Sequence, residues 1–195
     1  IKKLGHCCLV IEINGLRILT DPGGWTTAQN EEEDIDIVLI THEHGDHLHI
    51  ESVKKILTNN PQAKIYTNSG VGKILSEEEI VFELLEKNQT TTITEVLLEA
   101  FDCDHEIIYP SISLPQNTGY FIGERLFYPG DSLYNPQKPV EILALPVAGP
   151  WIKTSEAIDY AKEVNPKKCF PVHDGMLKHF GAFYAQPERI LKESN

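Results

Sequence analysis

Asp34-Ile35-Asp36-Ile37-Val38-Leu39-Ile40-Thr41-His42-Glu43-His44-Gly45-Asp46-His47 reads as an apolar strand that delivers three histidines and an aspartate into a short loop. Its first half has strand length and is rich in β-branched residues. Positions 42, 44, 46 and 47 cannot share one face of a regular helix, where facing residues lie three or four apart. A loop can turn all four inward. Neutral imidazoles beside a carboxylate suit a divalent transition metal, zinc above all. A lone histidine would read as water-facing, but H-x-H-x-D-H behind a buried strand reads as a metal site.

Working outward, residues 5–13 read as a strand, Asn14-Gly15 as a two-residue hairpin turn, and Leu16–Thr20 as the return strand ending at Asp21-Pro22. An opening hairpin is unlike a dinucleotide-binding fold, which starts with strand, glycine-rich turn and helix. Residues 25–33 are polar and read as a mobile loop over the site. Ile50, Val53, Ile56 and Leu57 recur at helical spacing as far as Asn59-Asn60-Pro61, and residues 64–67 form a short strand. Ser69-Gly70-Val71-Gly72-Lys73 lacks the glycine spacing and the hydroxyl residue of a phosphate loop, so it reads as a helix start. Residues 80–103 read as strands and turns, 119–128 as a hairpin and 141–147 as a buried strand. A helix follows with Ser155 as N-cap, then a strand at 168–172 and a short closing helix beginning at Pro187. Sheets with helices outside them fit a four-layer α+β sandwich.

Three further apolar runs end in polar residues. Asp102-Cys103-Asp104-His105-Glu106 follows residues 97–101, Tyr128-Pro129-Gly130-Asp131-Ser132 follows Leu126-Phe127, and Pro171-Val172-His173-Asp174-Gly175 follows Cys169-Phe170. His105, Asp131 and His173 are the candidates to complete the site, with His49, Asp104 and Glu106 as substitutes for His105. Asp21 reads either as a residue that orients a ligand histidine or as a turn residue before Pro22. His6 reads as a structural histidine more readily than as a site residue.

Taken in order, these motifs resemble the metallo-β-lactamase superfamily, from the Gly5-His6 hairpin to His173, most strongly at residues 41–47 and 129–132. In detail the chain looks like the compact zinc-dependent hydrolases that include L-ascorbate-6-phosphate lactonase-like proteins. N-acyl-phosphatidylethanolamine phospholipase D is a larger relative with a similar Gly-His opening. The resemblance implies a four-layer αββα metallo-β-lactamase sandwich and two divalent ions, zinc first, with manganese or iron as alternatives. It implies that His42, His44 and His105 hold one ion, that Asp46, His47 and His173 hold the other, and that Asp131 bridges them. It also implies a metal-bridged hydroxide that attacks a small ester, lactone or phosphodiester, with Asp46 able to take a proton besides ligating. Trp151, Lys153, Lys178 and His179 flank the late candidates. Trp151 is a candidate wall. Lys153 or Lys178 is a candidate for a phosphate or carboxylate, although each reads more readily as a solvated lysine. Tyr134 is a candidate oxyanion donor or a turn-packing residue.

The chain of 195 residues fits a single domain over 1–195, and 41% hydrophobic with 24% charged residues reads as globular. A net charge of -12 argues against a broad nucleic-acid or anionic-membrane surface, which needs clustered Lys and Arg. No apolar run approaches the ~20 residues that span a bilayer. No secretory signal pattern is visible. Cys7, Cys8, Cys103 and Cys169 include no C-x-x-C pair and read as reduced and mostly buried, which points to a cytoplasmic protein. The expected partner is a small-molecule substrate.

Two other functions compete with a dinuclear hydrolase. One is an iron-dependent oxidoreductase of the same fold. Flavodiiron relatives place a Glu where this chain has His44, but persulfide dioxygenase-like relatives keep similar ligands around one iron. The other is a non-catalytic, metal-stabilised binding module. The RNA-gripping arm of the tRNA-maturing endonucleases has no counterpart in this sequence.

Overall fold

The structure is a computed structural model that describes residues 1–193. Strands β1 (Lys2–Gly5), β2 (Cys8–Ile13), β3 (Leu16–Thr20), β4 (Ile37–Ile40), β5 (Lys64–Thr67) and β6 (Glu83–Leu84) form one sheet in sequence order. Helices α1 (Ile50–Asn59) and α2 (Ser69–Glu77) follow β4 and β5. Strands β7 (Thr90–Ile93), β8 (Val96–Asp102), β9 (Thr118–Ile122), β10 (Leu126–Tyr128), β11 (Ile142–Pro146) and β12 (Lys168–Val172) form the second sheet, again in sequence order. Helix α3 (Thr154–Val164) lies between β11 and β12, and α4 (Phe180–Lys192) follows β12.

Alternation along the strands builds the layers. Ile37 and Leu39 of β4 point to the space between the sheets, where they meet Leu98, Ala100, Tyr120 and Tyr128. Val38 and Ile40 point the other way, onto Val53 and Ile56 of α1 and Val71 and Leu75 of α2. On the far side, Phe121, Phe127, Leu143 and Leu145 receive Ala157, Tyr160 and Ala161 of α3. Because both of its faces are covered, β4 is apolar throughout, as expected of a parallel strand buried between layers.

Asn14 and Gly15 turn the first hairpin with positive φ at both residues (47° and 82°), the conformation that a tight Asn-Gly hairpin requires. Two helix ends differ from the sequence expectation. Helix α3 is capped by Lys153, not Ser155, and the Glu156 carboxylate accepts from the Lys153 N–H at 2.7 Å. Helix α4 begins at Phe180, and Pro187 lies inside it. Residues 180–186 join the helix because Tyr184 packs with Leu191 against the outer face of the second sheet. Residues 25–33 hold a short 3-10 turn, Ala28–Glu31, that buries Gln29. No helix among the described residues is long and apolar enough to cross a membrane.

Candidate metal centre

In the first sheet, β3, β4 and β5 run parallel. In the second, β8, β10, β11 and β12 share one direction, with β9 opposed. Each chain segment that carries a candidate ligand leaves the carboxyl end of such a strand: residues 41–47 after β4, His105 after β8, Asp131 after β10 and His173 after β12. Open sheets bind ligands at that edge. Asp21 follows β3, and His6-Cys7 make the turn between β1 and β2. His6, Asp21 and His173 adopt positive φ (49°, 37° and 57°), a backbone state that costs on the order of 1 kcal/mol or more and that clusters at functional sites.

The seven predicted ligands converge. Ligand atoms of His42, His44, His105 and Asp131 lie within 4.8 Å of one another. Asp131 also reaches the other set. Its Oδ1 is 3.1 Å from His47 Nε2, and its Oδ2 is 3.0 Å from His173 Nε2, 3.4 Å from His105 Nε2 and 3.8 Å from His42 Nε2. Asp46 Oδ2 stands 3.3 Å from His173 Nε2 and 3.9 Å from His47 Nε2. His42, His47, His105, Asp131 and His173 are buried, whereas His44 and Asp46 are half-buried, so solvent reaches the cluster past these two.

The hydrogen-bond network assigns the imidazole tautomers. Asp21 Oδ2 accepts from His47 Nδ1 at 2.7 Å, Ala148 O accepts from His173 Nδ1 at 2.5 Å, and Glu106 O accepts from His105 Nδ1 at 2.7 Å. The Thr41 hydroxyl donates to Asp21 at 2.8 Å and can therefore accept from His42 Nδ1 at 3.0 Å. Every one of these rings then turns a bare Nε2 lone pair toward the others. Nε2 of His47, His105 and His173 and Oδ1 of Asp131 are buried with no hydrogen-bond partner, and His42 Nε2 faces His44 Nδ1 at 3.2 Å. Unpaired buried acceptors are costly. A set that converges on one space is satisfied by cations, so these residues fit divalent ions.

Asp21 is the anchor behind the cluster. Fully buried, it accepts from Thr41 N (2.8 Å), Thr41 Oγ1 (2.8 Å), Tyr128 Oη (2.6 Å) and His47 Nδ1. His6 orients Asp46: Gly175 N–H donates to its Nδ1 at 3.0 Å, leaving Nε2–H to donate to Asp46 Oδ2 at 3.0 Å. Asn117 clamps two ligand loops by donating to Cys103 O and Pro129 O, each at 3.0 Å. Gly23 lets the metal loop pack down, since a Cβ there would sit 1.7 Å from Asp46 O.

The charges agree with a cation site. Burial would push the Asp46 carboxyl up, but the close approach of the His173 ring and the hydrogen bond from His6 hold it well below the usual carboxylate range. Burial likewise opposes ionisation of Asp131, and the charges of His47 and His173 outweigh it and lower that carboxyl. Burial lowers His42 and His44. Burial disfavours charge on His47 and His173 too, yet the negative field of Cys7 and Asp131 favours positive charge at both positions when no ion supplies it. The second set therefore calls for positive charge.

Several alternatives fall away. His49 precedes α1 and bonds Ser52 Oγ at 2.9 Å. Asp104 is exposed, and Glu106 accepts from Leu133 N at 3.1 Å. Lys153 pairs with Glu156 at 3.1 Å, and Lys178 and His179 lie on the exposed approach to α4. Trp151 does form a wall, with ring centroids 6.0 Å from His105 and 5.2 Å from His173. Tyr134 packs by Phe101 and Phe127. His6, read as structural, lies in the site, and Trp25 stacks on it at 4.5 Å. Cys7 was not singled out by the sequence reading; its one signal is its place beside His6 in the opening turn.

Two sheets between helix pairs, with histidines and carboxylates gathered at the strand ends, define an αββα protein of the metallo-β-lactamase fold with a His/Asp cluster able to bind metal. A family model described as a beta-lactamase superfamily domain matches residues 1–173, and the chain belongs to that family. It is similar to protein Rv0786c of Mycobacterium tuberculosis, 32% identical over 91% of this chain and 84% of that one. It is also similar to the UPF0173 metal-dependent hydrolase TK0141 of Thermococcus kodakarensis, 26% identical over 89% and 83%. The fold matches a solved Parabacteroides distasonis protein with a TM-score of 0.80 at 24% identity over 98% and 87%. It also matches CmlA, a diiron beta-hydroxylase from Streptomyces venezuelae, with a TM-score of 0.71 at 18% identity over 94% and 46%.

Proposed function

We propose that the chain is a metal-dependent hydrolase that acts on a small ester, lactone or phosphodiester with two divalent ions, zinc foremost. His42, His44 and His105 would hold one ion, Asp46, His47 and His173 the other, with Asp131 between them. The observation that carries this reading is the convergence of buried ring nitrogens and a carboxylate oxygen that have no other partner. Relatives named metal-dependent hydrolases support the hydrolytic class. Two such ions, when bound, lower the pKa of water from near 16 to about 7 and polarise an acyl or phosphoryl oxygen.

The chain's own residues supply the rest. Asp21, Ala148 and Glu106 hold three imidazoles in the tautomer that leaves Nε2 free, and such outer partners tune ligand basicity. His6 holds the Asp46 carboxylate in place. His6 and the His173 ring keep Asp46 ionised and so able to ligate. Trp151 covers one side of the centre, and the half-buried His44 and Asp46 leave it an approach from solvent.

The test is metal content and stoichiometry of the purified protein beside His105→Ala and Asp131→Ala, followed by a lactone, ester and phosphodiester screen. Near two ions per chain, falling in both variants, with turnover in the screen, is expected. One iron per chain with oxygen consumption would replace hydrolysis by oxidoreductase chemistry, which the fold also carries. A metal-loaded chain inert to the whole screen would make it a binding module.

A further inference from the structure

The turn between β1 and β2 brings a sulfur to the centre. Cys7 Sγ and a ring nitrogen each of His6, His47 and His173 lie within 4.8 Å of one another, all four residues buried. The four are not equivalent. His6 has no nitrogen to spare, because Nδ1 accepts from Gly175 and Nε2 donates to Asp46. His47 and His173 commit Nδ1 to Asp21 and Ala148 and leave Nε2 unpaired. Cys7 is itself held in place: its carbonyl accepts from Tyr128 Oη at 2.9 Å and from Thr20 Oγ1 at 3.0 Å. The single hydrogen of that Tyr128 hydroxyl is shared with Asp21, the nearer acceptor at 2.6 Å, so one group bridges the Cys7 carbonyl and the carboxylate that orients His47.

We infer that Cys7 supplies a thiolate to the ion position shared by His47, His173 and Asp46, and that this sulfur biases the position toward zinc over manganese or magnesium. The inference rests on the two-ion reading above. Thiolates select soft and borderline ions, whereas carboxylate and water sets suit magnesium and manganese. On coordination the thiol proton leaves to solvent and no electron is transferred. The competing description is a packing thiol at the margin of the inter-sheet core, where Cys7 also has apolar neighbours.

Cobalt separates the two. The full chain is prepared with Cys169→Ser, which removes the exposed thiol, and is loaded with Co2+. A sulfur-to-cobalt charge-transfer band in the near ultraviolet is expected. It should vanish in Cys7→Ser and Cys7→Ala and persist in His105→Ala, which empties the other position. Zinc-over-manganese preference should fall at least about tenfold in Cys7→Ser, as expected when a soft ligand is exchanged for a hard one. On the unsubstituted protein, zinc-edge absorption should show a sulfur neighbour at about 2.3 Å, a readout that does not depend on the variants folding. Cobalt bound with d–d bands but no charge-transfer band, and zinc with no sulfur neighbour, would make Cys7 a packing thiol and leave the two-ion reading standing. No cobalt or zinc bound at all would overturn both.

Discussion

Asp21→Asn tests the anchor without changing its shape. Asp21 is fully buried and its two oxygens serve four donors. Oδ1 takes one, Thr41 N–H; Oδ2 takes Thr41 Oγ1, His47 Nδ1 and Tyr128 Oη. An amide nitrogen at Oδ2 would face three donors, so the variant should place it at Oδ1 and oppose Thr41 N–H alone. Thr41 N–H and the new amide N–H would then both be buried donors without an acceptor, at about 1–3 kcal/mol each. The three retained bonds lose charge assistance, which roughly halves their strength from about 1.5–3 kcal/mol apiece, so the total loss of stability should be at least about 5 kcal/mol. His47 keeps its tautomer but loses the anion behind it, so affinity for the ion it would hold should fall about 10- to 100-fold, or roughly 1.4–2.7 kcal/mol. Urea unfolding measures the first quantity and zinc competition against a chromophoric chelator the second. A variant with unchanged zinc affinity and stability within about 0.5 kcal/mol of the parent, the range of an ordinary surface substitution, would refute the claim that Asp21 organises the centre.

Gly23→Ala should damage metal binding although Gly23 is no ligand, because its Cβ would lie 1.7 Å from Asp46 O and 2.6 Å from His47 N and must push the loop outward; metal analysis that still finds parent-level loading would contradict this. Glu86 accepts from Ser69 N–H, Ser69 Oγ and Gln116 Nε2 at the start of α2. Burial raises its carboxyl, but these bonds outweigh it and hold it at about 2 against an ordinary 4.5. A depressed carboxyl stabilises the fold above its unfolded pKa and loses that contribution as pH falls. Glu86→Gln should therefore cost about 1.5–3 kcal/mol at neutral pH, and the gap to the parent should close between pH 4.5 and about 2 in urea titrations; a pH-independent gap would assign the effect to packing. Under the two-ion reading, chelation should lower the melting temperature, since an ion at 100 times its Kd contributes about 2.7 kcal/mol to the folded state; identical melts with and without chelator would remove that linkage.

Much of the fold was legible because its signals are local. Residues 37–40 are apolar on both faces, and the Asn14-Gly15 turn declares its own conformation. The candidate ligands were legible for a related reason: His42, Asp131 and His173 each follow an apolar run, and strands of one direction bring such ends to one edge. His105 was separable from His49 only in three dimensions, where His49 turns to Ser52. Pro187 misled because proline favours helix starts, whereas packing of Tyr184 and Leu191 extends α4 back to Phe180. What no local pattern contains is the wiring behind the ligands. Asp21 meets partners 20, 26 and 107 positions away, and His6 meets Asp46 and Gly175, 40 and 169 positions away. Yet this wiring decides which nitrogen of each ring is bare, and hence whether seven suitable side chains form a cation site or a set of buried hydrogen bonds. Tyr128 shows how far that control reaches. Its one hydroxyl touches both Asp21 and the Cys7 carbonyl, so Tyr128→Phe should loosen His47 and Cys7 together while leaving His105 in place.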